Sequence, residues 1–142
     1  IGAAFDATVA ALHERLPALG YPDIRPVHCT NVFRLIDPDG TRPGVLADRA
    51  RVTPQAMSEF VAYLESRGYL VRVPDPADNR ARLVTLTPSG RAAADAALTA
   101  FAEIDRQWRD LVGAADHEAA RRALERIVTG GSREARQGRP QP

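Results

Sequence analysis

Residues 53–73 read TPQAMSEFVAYLESRGYLVRV. Thr53 is a favoured N-cap residue, and Pro54 at the first helical position gives up an N–H that would have no partner there anyway. Met57, Phe60, Val61 and Leu64 recur at helical spacing on one side, so they predict a buried stripe. Gly68 stands where a left-handed residue closes a helix. The spacing therefore predicts a helix over about 53–67. Its opening turns carry the small and polar side chains Thr53, Gln55, Ala56 and Ser58. After Gly68 the apolar period changes from helical to two. Residues 69–73 read as a strand and 81–86 as its partner. Between them, 74–80 hold two prolines, two aspartates and an asparagine, which predicts an extended hairpin loop.

Immediately upstream, Asp37-Pro38-Asp39-Gly40 is a turn by composition. Thr41 is expected to cap the next helix, with Pro43 near its start. That helix runs over about 42–49, with Val45, Leu46 and Ala50 inward, and Arg51-Val52 is a tight link. Two short helices joined in this way form a helix-turn-helix. The second suits a recognition helix, whose N-terminal turns meet base edges while the remainder packs inward. A hairpin directly after it is the wing of a winged helix. Arg80 in the wing loop is suited to a narrow minor groove, where the potential is most negative. The candidates that this pattern offers for DNA are therefore Thr53, Gln55, Ala56 and Ser58 in the helix, with Pro54 at its start, and Arg80 in the wing. Arg42, Arg51, Arg72 and Arg82 are phosphate-contact candidates. The alternative for this pattern is a winged helix that binds protein, since fold does not fix function.

Outside the core, Phe5, Val9, Leu12 and Leu16 form one face of a helix over 1–19, stopped by Pro17 and Gly20. Residues 21–26 contain two prolines and read as a connector, followed by a helix over about 26–36. Thr87-Pro88 repeats the cap-plus-proline signal and opens a long helix carrying Leu98, Phe101, Ile104, Trp108, Leu111 and Val112. Gly113 and Ala114 interrupt it. Asp116 is expected to cap a last helix bearing Leu124, Ile127 and Val128, ended by Gly130-Gly131. Residues 132–142 are polar and predict a disordered tail.

Composition narrows the function classes. The 142 residues fit one domain, 44% hydrophobic and 26% charged, which excludes a disordered chain. No stretch approaches the roughly 20 apolar residues of a membrane span, so no membrane partner is expected. The chain begins at Ile1 without a Met, so upstream residues are expected to be missing, although nothing suggests a secretory leader. The single Cys29 excludes an intrachain disulfide and suits a reducing cytoplasm. The formal net charge is only +1, and all 19 basic residues are Arg. Each cation thus carries a planar fork suited to phosphate and guanine. His13, His28, His117 and Cys29 lack metal-ligand spacing. There is no phosphate loop, nucleophile elbow or zinc helix. Neither an enzyme, a metal nor a cofactor is expected.

The ordered run Leu46-Ala47, Thr53 to Ser58, Leu64-Glu65-Ser66-Arg67-Gly68-Tyr69-Leu70 and Arg72 resembles the core of the MarR (multiple antibiotic resistance regulator) family. Asp78-Asn79-Arg80 followed by Leu86-Thr87-Pro88-Ser89-Gly90 resembles that family's wing signature. The resemblance covers roughly 24–92 by motif and the flanking helices by layout. It implies a mainly α fold with a small β-hairpin wing, a winged helix-turn-helix core over about 24–90, and dimerisation helices over 1–20 and 88–130. It implies a homodimeric transcriptional regulator, a repressor, acting on double-stranded DNA at a pseudo-palindromic operator. It also implies Asp78 as the brace of Arg80. A small aromatic or phenolic effector is implied between the dimer helices and the winged helix, with His13, Tyr21, His28 and Phe33 as candidates. A thiol-sensing branch of the family makes a redox role for Cys29 an alternative to an inert, half-buried thiol. The chain departs from the family pattern at Glu59, where many members carry a basic residue. This carboxylate can accept from a cytosine amino group or pair with a neighbouring Arg.

Overall fold

A computed structural model describes the backbone over residues 2–137 and the side chains over residues 2–130. The elements are α1 (Gly2–Ala18), α2 (Pro26–Asn31), α3 (Pro43–Ala50), α4 (Pro54–Ser66), β1 (Leu70–Asp75), β2 (Asp78–Leu86), α5 (Pro88–Val112) and α6 (Ala114–Gln137). They fall into two compact units, residues 1–102 and 103–142. This is the mainly α winged helix-turn-helix expected, with helices on both flanks of the core.

In the first unit the core forms where the apolar stripes of short helices converge. Leu12 and Leu16 of α1, Leu46 of α3, Met57, Val61 and Leu64 of α4, and Val84 of β2 are all essentially inaccessible. Thr53 caps α4 as its sequence demanded, its hydroxyl accepting the Ala56 N–H at 3.2 Å. Gly68 follows α4 at φ 76°, a conformation that an L side chain resists.

Several boundaries differ from the sequence expectation. The second helix stops at Asn31 and a separate 3₁₀ turn covers Phe33–Leu35. Thr41 caps nothing. Its backbone forms a bridge with Val84, with N–H···O distances of 3.0 and 2.9 Å, and its hydroxyl turns back to Asp37. The wing strands are longer than expected, so Pro76 and Ala77 alone connect them. Pro74 lies opposite Arg82, whereas Asp75 lies opposite Asp78. Asn79, Arg80 and Ala81 are left over as a bulge in β2. In the second unit α6 begins at Ala114, with Asp116 in its first turn, and runs through the glycine pair to Gln137. The helix stop expected at Gly130-Gly131 is thus corrected. Of the tail expected over 132–142, residues 138–142 lie outside the described residues.

The Leu86-Thr87-Pro88-Ser89-Gly90 stretch is explained by one junction. Thr87 donates its N–H to the Tyr69 carbonyl at 3.0 Å, and its hydroxyl donates to the Gly68 carbonyl at 2.6 Å. The same hydroxyl accepts the Gly90 N–H at 3.0 Å, capping α5. Gly90 is buried, and a Cβ there would run into the Tyr69 carbonyl oxygen. The start of α5 is therefore pinned to the end of α4 by hydrogen bonds that require a missing side chain. Gly90→Ala should cost at least about 2 kcal/mol through overpacking against backbone. Urea denaturation checks this, and an unchanged midpoint would contradict the close approach.

Candidate nucleic-acid interface

The buried stripe of α4 fixes which residues face outward. With Met57, Val61 and Leu64 turned inward, Gln55, Ser58, Glu59 and Ala62 form an exposed face at i, i+3, i+4 and i+7. Pro54 is also exposed, and Ala56 is half-buried. Glu59 pairs with no Arg among the described residues. Its Oε1 accepts a hydrogen bond from Gln55 Nε2 at 2.9 Å.

The link between α3 and α4 contains an unusual residue. Arg51 ends α3 in the left-handed conformation at φ 55°, the sole non-glycine with positive φ among the described residues. That geometry costs a side-chain-bearing residue about 1–2 kcal/mol. Its return is local: the Arg51 N–H reaches the Asp48 carbonyl and the Val52 N–H reaches the Ala47 carbonyl, so the turn between the two helices stays tight. The Arg51 side chain is exposed.

The wing arginines divide by employment. Arg42, expected on phosphate, donates through Nε and Nη2 to Asp75 Oδ2 at 2.7 and 2.6 Å. Asp75 is buried and also accepts the Ala77 N–H at 2.9 Å. The Ala77 N–H first, and Arg42 second, hold its pKa below the usual carboxylate range. Arg42 is thus engaged inside the molecule, bolting the wing turn to the start of α3. Arg72 spans from β1 to Glu65 at 3.0 Å. Arg82 reaches the Asn79 and Ala81 carbonyls at 3.4 and 3.3 Å, stapling the bulge.

The brace that the resemblance implies between Asp78 and Arg80 is made to the backbone and not to the guanidinium. Asp78 Oδ1 accepts the backbone N–H of Arg80 at 3.1 Å, and its other oxygen lies 3.8 Å from Arg42. Asp78 therefore shapes the bulge backbone and leaves the guanidinium alone. Arg80 is exposed at the bulge, and among the described residues its guanidinium has no hydrogen-bond or ion-pair partner. Sequence reasoning missed Asp75. Its one signal was an Asp two residues before a free N–H in a proline-containing turn.

The four effector candidates do not converge. Phe33 lines a cavity of about 350 Å³ with Cys29, Thr30, Ala97, Leu98 and Phe101. His13 lies in a separate, open depression with Val9 and Pro26. Tyr21 packs on Tyr69 at 6.3 Å between ring centroids. His28 is buried, stacked on Tyr63 at 5.1 Å, and its Nδ1 accepts the Arg25 N–H at 3.1 Å. It is a capping and core residue, and nothing leaves it available to a ligand. Burial, reinforced by the Arg25 charge and opposed by Asp23, pulls its pKa down to about 4. Cys29 is buried as well, and burial pushes its thiol up to about 11. A peroxide-sensing thiol needs the opposite shift, so the redox alternative lacks physical support.

Two predictions follow from these arrangements. Asp75→Asn should leave the helices intact but accelerate amide exchange in the wing, because the carboxylate that holds Arg42 is gone. Unchanged exchange across residues 70–82 would sink the bolt. His28, with a folded pKa of about 4 against an ordinary 6.5, binds its proton more readily when unfolded. Its contribution is complete above pH 6.5 and is lost as pH falls towards 4. Urea midpoints between pH 8 and 4 should decline more steeply for the natural chain than for His28→Gln. Parallel slopes would refute that assignment.

Residues 30–81 match a model of the MarR family. An uncharacterised helix-turn-helix transcriptional regulator of Mycobacterium bovis is 36% identical over 81 residues, 51% of this chain and 57% of that protein. The chain thus spans under two thirds of the length of this curated relative. The transcriptional repressor CouR, solved on a 23-mer DNA duplex, superposes with a TM-score of 0.75 at 22% identity over 89% of this chain and 88% of that one. CouR from Rhodococcus jostii RHA1, solved with p-coumaroyl-CoA, gives 0.69 at 23% identity over 89% and 87%. These two likenesses concern the fold.

Proposed function

We propose that this chain is a MarR-family transcriptional repressor that binds a pseudo-palindromic operator as a homodimer; residues 30–81 match that family's model, and a curated relative is 36% identical over 81 residues. One observation carries the reading. The outward face of α4 is polar, through Gln55, Ser58 and Glu59, and the hairpin that follows presents Arg80 exposed and without an internal partner. Gln55, Ser58 and Glu59 read base edges in the major groove. Thr53 holds the helix end, with Pro54 and Ala56 beside it. Arg80 probes the minor groove from a backbone shaped by Asp78 and Asn79. Arg51 contacts phosphate, and Arg72 and Arg82 add charge nearby. Arg42 acts indirectly, through the wing. CouR, which shares the fold, was solved on a duplex, and the same use of the fold is proposed here.

A second copy covers the apolar side chains that each unit leaves in water. Phe5 and Leu98 are more than half exposed, as are Leu111, Ile127 and Val128. Exposed large apolar side chains in such number mark an interface. A two-fold dimer carries two recognition helices to half-sites about 34–36 Å apart. A small aromatic effector fits the cavity beside Phe33 and Phe101. It regulates DNA binding to the extent that it prefers one of two dimer states.

The test is selection from a pool of random duplexes across a salt series. An inverted repeat should be enriched, with affinity falling steeply in salt through counterion release. Arg80→Ala should weaken binding roughly ten-fold. Enrichment of no sequence at low or moderate salt would overturn the reading.

A further inference from the structure

Glu59 is a carboxylate on the face of α4 that the proposed function turns towards DNA, and the inference below rests on that reading. Its surroundings leave it unneutralised. Arg67 stacks on Tyr63 and lies 3.9 Å from Asp23, and Arg72 is engaged by Glu65. Among the described residues no cation pairs with Glu59. Its contact is the Gln55 amide at 2.9 Å.

That contact has a forced polarity. An ionised carboxylate only accepts hydrogen bonds, so the Gln55 side chain must face it with the NH₂ group. The amide of Gln55 is thereby oriented with its oxygen away from Glu59. Outward, the pair then offers two acceptors, the second carboxylate oxygen Oε2 and the amide oxygen of Gln55, beside the one N–H of Gln55 that Glu59 does not use. The i, i+4 spacing holds the pair within the first two turns of α4, the part of a recognition helix that enters the groove.

An acceptor-only carboxylate on such a face cannot be indifferent to sequence. Phosphates repel the carboxylate, so it is tolerated only above base edges. There the major groove presents donors at two atoms alone, the N4 amino group of cytosine and the N6 amino group of adenine. Guanine presents two acceptors, and thymine an acceptor and a methyl group. Between the two donors the flanking atoms decide. The adenine amino group sits between its own N7 and the O4 of the paired thymine, both acceptors. The cytosine amino group has an acceptor, guanine O6, on one side only, with a C–H edge on the other.

We infer that Glu59, oriented by Gln55, is a specificity-determining residue that selects a cytosine in each operator half-site by accepting from its N4 amino group and repelling bases that present acceptors. Gln55 is a positioning residue for this contact as well as a reader in its own right. The departure from the basic residues common at this position then has a consequence. The chain gives up non-specific attraction to phosphate and gains discrimination at one base pair.

The test runs the random-duplex selection in parallel with the natural chain, Glu59→Gln and Gln55→Ala. All the altered side chains are exposed, so folding is unaffected. The natural chain should enrich motifs with one near-invariant cytosine per half-site, each alternative base there binding roughly ten-fold more weakly or worse. Glu59→Gln should lose that preference and accept adenine, whose N6 and N7 suit an amide. Gln55→Ala should keep the cytosine with reduced discrimination. An enriched motif that lacks such a cytosine, or that is unchanged in Glu59→Gln, overturns the inference while leaving DNA binding intact. Absence of any enriched motif, for natural chain and variants alike, overturns the DNA-binding reading and this inference with it.

Discussion

The rest of the structure depends on the rotation of α4 about its own axis, and three side chains set it. Met57, Val61 and Leu64 are completely buried, each contributing about 1.5–3 kcal/mol relative to exposure. Turning the helix to bury the opposite face would expose them and drive Glu59 into the core, where an uncompensated carboxylate costs several kcal/mol more. Both terms act in the same direction. The outward face is thus decided by what the inward face cannot give up. The neighbouring junction adds a second restraint, since Thr87 and Gly90 tie the start of α5 to the carbonyls of Gly68 and Tyr69. The two ends of α4 are accordingly fixed by different devices: a hydroxyl cap at Thr53 and a backbone clasp beyond Gly68.

The formal net charge of +1 comes from 19 basic and 18 acidic residues, and several of the arginines are engaged within the molecule. Arg42, Arg49, Arg72 and Arg82 are spent within the molecule, on Asp75, Asp37, Glu65 and the bulge carbonyls. Three acidic residues, Asp75, Asp37 and Glu65, are their partners. The winged core therefore contains ion pairs that shape the turn and hairpin, while the guanidinium groups of Arg51 and Arg80 have no hydrogen-bond or ion-pair partner among the described residues. Exposed pairs contribute little to stability. Their value here is geometric: the Arg42–Asp75 contact connects the start of α3 to the wing turn across 33 positions of sequence.

The aromatic residues packed around the connector serve the fold. Tyr63 and Tyr69 both donate their hydroxyls to Asp23, one to its carbonyl and one to its carboxylate, each at 2.8 Å. Burial, with that hydrogen bond to Asp23, raises the Tyr69 pKa to about 12. His28 and Phe33 pack into the same cluster. A histidine or tyrosine in a stretch that leads into a cavity thus need not face the cavity. Packing chose Cys29, Phe33, Ala97, Leu98 and Phe101 as its lining, of which only Phe33 had been singled out as an effector contact.

The sequence by itself determined the order and kind of the elements, because those rest on local chemistry. Thr53-Pro54 starts a helix wherever it stands, Gly68 permits a left-handed stop, and the change of apolar period from Leu64 to Val84 marks helix giving way to strand. It determined which face of α4 is buried and placed Arg80 in the wing. It did not determine where Thr41, Arg42, Asp75 or Asp78 would find partners. Each carries a polar group able to satisfy several acceptors or donors, and the choice follows from which backbone arrives nearby. Thr41 met Val84 in place of a helix end, and Arg42 met a buried Asp75. Asp78 met a backbone N–H where a guanidinium was expected. The cavity was equally illegible, since it is bounded by residues some seventy positions apart along the chain. Local propensity is read one turn at a time, whereas the pairing of polar groups and the shape of a void are properties of the packed chain.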